Sequence, residues 1–153
     1  MSANPSAMAQ GGSPWNSAQY TARTFFTYES DIAAALAAGT GAALTFNIAG
    51  DSDFFWTKFA AFALVGGAGT VYSLQELPAV TILITNTTTG RQYSSSAVPL
   101  PNMAGTAQFP FILPQITLWQ KKSTIQIALQ NEGSLAYSNL HLSFHGIKAF
   151  TVS

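Results

Sequence analysis

The chain has 153 residues, six basic and six acidic side chains, a formal charge of zero, no cysteine, and only 8% charged residues. The lack of cysteine excludes disulfides, thiolate metal sites and cysteine nucleophiles, and the lack of a basic field or charge run argues against nucleic acid or a membrane surface as partner. The length predicts one domain that buries roughly two-thirds of its unfolded surface without staples.

Ordinary globular domains carry about a quarter charged residues, so here Ser, Thr, Asn and Gln must supply the polarity of the outer strand faces. A neutral surface of that kind favours association. Two expectations follow: much of the surface is covered by other subunits, or the protein works outside a cell.

Residues 1–14 are small, polar and punctuated by Gly and Pro, with neither the basic start nor the apolar core of a signal peptide. Free in solution they are expected to form a disordered arm. No later apolar run reaches a membrane span; residues 59–67, among the longest, supply about half of one. Trp15, Tyr20, Phe25, Phe26 and Tyr28 then appear in a segment with few other core-type residues. They fit an arm that inserts rings into a partner surface, and these five are the candidate interface residues. The other reading makes residues 24–28 the first strand. The division taken is an extended arm over 1–28 and a β-sandwich domain over 29–153.

Residues 29–38 are the one helix candidate, with Ser30 as a cap, Glu29 and Asp31 at the positive end and Gly39 as terminator. At two to three turns it would need tertiary contact through Ile32 and Leu36. Residues 42–48 alternate Leu44, Phe46 and Ile48 against Thr45 and Asn47, a half-buried strand. A turn at 50–53 precedes a second strand over 54–65. Residues 66–70 read as a loop and 71–77 as a short strand. Residues 80–85 form a strand, 86–90 a hairpin turn and 91–95 its partner.

Residues 109–131 hold the clearest strand signal and read as a core strand pair. Phe109, Phe111 and Leu113 alternate with Pro110 and Pro114, and since proline cannot donate to a ladder this run belongs at a sheet edge or in a connection. Lys121, Lys122 and Ser123 make a polar turn, after which Ile125, Ile127 and Leu129 share one dry face. Leu140, Leu142 and Phe144 alternate with His141, Ser143 and His145, and Gly146 is expected to bend the chain before a last strand over 147–152. Short strands, Gly/Pro/Asn turns and almost no helix predict an all-β fold: an antiparallel β-sandwich, jelly-roll-like, with an extended N-terminal arm and at most one short helix.

Candidate chemistry is sparse. His141 and His145 lie about 13 Å apart on a strand, too far to share a metal; two surface or interface histidines are the expectation, and at an interface they would make assembly pH-sensitive. Asp51 and Asp53 offer a cation too few oxygens and read as a turn whose carboxylates bond backbone amides. Trp56, Trp119, Tyr93 and Tyr137 form either a sugar-stacking platform or core and subunit contacts. Nothing matches a nucleophile elbow. No catalytic residue, metal ligand or cofactor is assigned, and the chain is not expected to be an enzyme.

Four motifs carry a resemblance: Asp53-Phe54 in IAGDSDFFWTKFAAFA, the hairpin Thr89-Gly90-Arg91, the segment from Gly105 to Pro114 ending PFILP, and Phe144-x-Gly146-x-Lys148 in LHLSFHGIKAF. Together they cover about two-thirds of the chain, omitting the arm and residues 29–41. In these stretches the chain resembles auxiliary structural proteins of tailed-bacteriophage virions. The resemblance implies a non-catalytic capsid cement, decoration or minor capsid protein, made in the host cytoplasm and placed on the capsid surface. Its implied partners are the major capsid protein and copies of itself, with a trimer favoured by the family alone. A tail or connector component, and a glycan- or receptor-binding module of the virion, are the alternatives. No functional residues transfer by this resemblance.

Overall fold

A computed structural model describes residues 13–32, 34–65, 79–106 and 108–151. Residues 1–12 of the expected arm, the loop over 66–70 and the strand expected over 71–77 lie outside the described residues. Nine strands are described: β1 (Tyr20–Ile32), β2 (Gly41–Asn47), β3 (Ser52–Val65), β4 (Val80–Asn86), β5 (Arg91–Gln92), β6 (Val98–Pro99), β7 (Phe111–Trp119), β8 (Thr124–Asn131) and β9 (Tyr137–Thr151). Short 3-10 turns cover Pro14–Asn16 and Leu100–Asn102.

The strands build two antiparallel sheets. The first has the order β1-β9-β3-β7, the second β2-β8-β4-β5 with β6 also on β4. Alternation decides which side of each strand is dry. In β4 Val80, Ile82 and Ile84 are buried, in β8 Ile125, Ile127 and Leu129, and these rows meet Phe54, Trp56, Phe59, Leu142 and Phe144 of the first sheet in one core. Trp56 and Trp119 stack at 4.9 Å at its centre. The fold is an all-β sandwich.

Three expectations are corrected. Residues 29–38 are not a helix. β9 is fifteen residues long, so β1 continues along it through Glu29↔Ser143, Ser30↔Leu142 and Ile32↔Leu140. Leu36 then exchanges two backbone hydrogen bonds with Tyr137, at 2.7 and 3.1 Å. Ladder pairing on a long central strand outweighs the weak propensity of a short alanine-rich segment.

The strands of 109–131 are not partners. β7 pairs with β3 in the first sheet, and β8 with β2 and β4 in the second. The turn between them explains the crossing: Lys121 N donates to Asp53 Oδ1 of β3, whereas Lys122 N donates to the Ile48 carbonyl just after β2. Consecutive amides are tied to different sheets, with Lys122 in the left-handed region at φ 66°. β7, carrying Pro114, is an edge strand as that proline requires.

Gly146 does not bend the chain. It sits within continuous β9, opposite Phe26 and Trp56, where a Cβ would collide with the Phe55 carbonyl oxygen and lie 2.7 Å from the Phe54 ring. One irregularity lies in β3, where Thr57 is the extra residue between Trp56↔Gly146 and Lys58↔His145, and a second lies nearer the start of β9, between Phe62↔His141 and Leu64↔Ser138. The Thr57 bulge switches the inward positions of β3 from Phe54 and Trp56 to Phe59 and Ala63.

Candidate interaction surface

The outer face of the first sheet is built around β9. Its residues His141, Ser143, His145 and Ile147 alternate with the buried Leu140, Leu142 and Phe144, so they look away from the core. Register places Thr27, Glu29 and Asp31 of β1 on one side and Lys58, Ala60 and Phe62 of β3 on the other. β7 extends the face with Ile112 beside Lys58 and Leu118 beside Phe55.

Large apolar side chains are exposed on this face among the charged Glu29, Asp31 and Lys58. Phe25 is 68% exposed, Phe62 52%, Ile112 68% and Leu118 43%. Scattered exposed apolar residues are ordinary, but several large ones on one sheet face mark an interaction site. Both histidines are held between the rings. Phe25 stacks on His145 at 6.2 Å and 17°, and Phe62 lies 6.2 Å from His141. His141 Nδ1 is 2.9 Å from Glu29 Oε1, and His145 Nδ1 is 2.8 Å from Thr27 Oγ1. Burial, reinforced by the Lys58 ammonium and opposed by Glu29, moves the His145 imidazole below its ordinary range. Its neighbours Lys58 and Glu29 remain the charged groups around it.

The five interface candidates occupy different environments. Phe25 belongs to the exposed face. Trp15 and Tyr20 pack edge-on against Phe55, at 5.7 and 5.6 Å, in a small second cluster with Ala149. Phe26 and Tyr28 turn inward against the main core. Lys148 Nζ lies 4.0 Å from the Phe26 ring centre, and the Tyr28 hydroxyl accepts from Ala49 N at 2.9 Å. Residues 20–28 are thus part of β1, paired along β9. Phe62, Ile112 and Leu118 were missed as surface candidates. In sequence they look like core strand residues; the Thr57 bulge turns Phe62 outward, and the register of β7 places Ile112 and Leu118 on the outer face beside Lys58 and Phe55.

Asp53 accepts from both Lys121 N and the Tyr20 hydroxyl, each at 2.8 Å, and Asp51 Oδ1 accepts from Ser52 Oγ at 3.0 Å. The pair serves local and cross-strand hydrogen bonds. No group of three His, Cys, Asp or Glu is placed to hold a metal among the described residues. Trp56, Trp119 and Tyr137 are buried, leaving only Tyr93 of that set half-exposed; its hydroxyl accepts from Trp119 Nε1 at 2.6 Å. Among the described residues no helix is long and apolar enough to cross a membrane. Comparison with protein-family models, with curated proteins and with solved structures finds no match.

Proposed function

We propose that this chain is a structural subunit of a tailed-phage virion, a cement, decoration or minor capsid protein that bridges shell subunits and performs no chemistry. The observation that carries this reading is the apolar outer face of the first sheet, with Phe25, Phe62, Ile112 and Leu118 all exposed. A sheet face that exposes several large apolar side chains among a few charged ones is matched to a protein partner that can exclude water from those rings. The 8% charged content supports the same reading, because a surface that is covered in use has no need of charge for solubility. The motif resemblance from Asp53-Phe54 to Phe144-x-Gly146-x-Lys148 supplies the virion context. In this mechanism the sheet face seats on the shell. A stable joint covers on the order of 1,000 Å² or more.

The test is the melting temperature of virions prepared without the protein, measured before and after adding it back, together with sedimentation of the protein alone. A raised shell melting temperature and a symmetric oligomer are the expected results. A monomer that leaves the shell's melting unchanged overturns the cement role.

A further inference from the structure

A groove runs along the free edge of β7. This strand ends the first sheet, so its side away from β3 has no ladder partner among the described residues. Residues 113–116 also leave the β3 ladder, between Ile112↔Lys58 and Thr117↔Trp56. Facing this edge across the open side of the sandwich stand the β4–β5 turn and Tyr93. The space between holds two adjoining clefts of about 410 and 280 Å³, which share Tyr93, Gln115 and Thr117 as walls.

The two ends differ in chemistry. The smaller cleft is lined by Met103, Leu113 and Pro114, with the Trp56 ring behind them. The larger one is mixed, with Asn86, Thr89 and Gln120 beside Ile116 and Leu118, and Arg91 is the one charged side chain on the described walls of either. The walls are fixed before any ligand arrives. Asn86 Oδ1 accepts from the amides of Thr88 and Thr89 at 3.1 and 3.3 Å, and Trp119 holds the Tyr93 hydroxyl where the clefts meet.

We infer that the free edge of β7 takes an extended peptide segment of a partner protein as an added strand, with an apolar side chain beside Met103 and Leu113 and a carboxylate on Arg91. Unpaired strand amides and carbonyls are matched by another strand. Pro114 supplies no N–H, so the added ladder runs along residues 115–118. Leu113 in the apolar cleft and Thr117 on the wall of the other are four residues apart, about 13 Å in extended chain, and the two anchors of the incoming strand are set at the same spacing on one of its faces. The sole cation selects a carboxylate at the Arg91 end. The inference is independent of the virion reading, since any partner with such a strand satisfies it.

The experiment follows backbone amide NMR signals of the full chain during titration with the capped peptide Leu-Thr-Val-Thr-Asp. Controls are its Asn-ended version, a version N-methylated at alternate amides, and a methyl galactoside. The expected result is saturable shifts confined to Tyr93, Met103 and residues 115–118, with the N-methylated peptide silent. Changing the terminal Asp to Asn, or Arg91→Gln in the protein, each weakens binding about tenfold, and the two together do little more than either alone. Arg91 is exposed, so Arg91→Gln is expected to leave the fold intact. Absence of saturable shifts with every peptide, equal binding of the N-methylated peptide, or shifts produced by the galactoside alone would each overturn the strand-addition site.

Discussion

The Tyr20 hydroxyl donates a 2.8 Å hydrogen bond to Asp53 Oδ2, joining the first residue of β1 to the second residue of β3 across the intervening β9. Asp53 Oδ1 meanwhile accepts from Lys121 N, where the chain leaves the first sheet. One carboxylate thus ties the start of the sandwich to the crossing between its sheets. Tyr20→Phe and Asp53→Asn are each expected to cost about 1–2 kcal/mol in chemical denaturation, and the double variant to cost less than their sum.

The same pair gives an alkaline signature. Burial first, and Asp53 second, push the Tyr20 phenol from 10.0 up to about 12. A raised folded-state pKa contributes stability that is whole below the unfolded value and is lost as pH rises through the folded one. Thermal stability should therefore fall between pH 10 and 12, and Tyr20→Phe should flatten that fall. An equal slope in the variant would assign it to other groups.

His145 works in the opposite direction. Its folded-state pKa lies below the ordinary imidazole value of 6.5, chiefly by burial. Protonation is therefore easier in the unfolded chain, and His145 contributes stability above pH 6.5 that is lost as pH falls through its lower folded value. A melting-temperature profile from pH 7.5 to 4.5 should be shallower in His145→Gln than in the parent protein. Lys58 and Glu29 face the same ring from β3 and β1, so Lys58→Met should move the NMR titration midpoint of His145 upward.

Gly146→Ala tests the close approach of β9 to β3. The added methyl meets backbone, the Phe55 carbonyl, which cannot swing aside as a flexible side chain would. A loss of about 3 kcal/mol or more is expected, near the upper end for overpacking. Retention of full stability would mean that the two central strands can separate at Trp56↔Gly146 without cost.

Where alternation was uninterrupted, the fold could be read residue by residue. Leu44, Phe46 and Ile48, then Ile125, Ile127 and Leu129, and then Leu140, Leu142 and Phe144 all face the interior as their period of two requires. Pro114 likewise marked an edge. What could not be read was set by nonlocal contacts. The extension of β1 through Ile32 depends on the length of β9, and the separation of β7 from β8 depends on Asp53 and Ile48 competing for neighbouring amides. The candidate surface was legible only in part. Phe25 was singled out, but Phe62 reaches the outer face because Thr57 shifts the register of β3, and no local pattern announces that bulge.

On the proposed reading, the outer face of the first sheet binds the shell. Phe25 and Phe62 are exposed on it, so Phe25→Ser combined with Phe62→Ser should change the protein's own stability only modestly. The decisive measurement is co-sedimentation of parent protein and double variant with virions prepared without the protein. The parent is expected to saturate the shell at a fixed ratio, and the variant, with an unchanged oligomeric state, to bind about a hundredfold more weakly. Equal binding by the variant, or no binding by the parent, would contradict it.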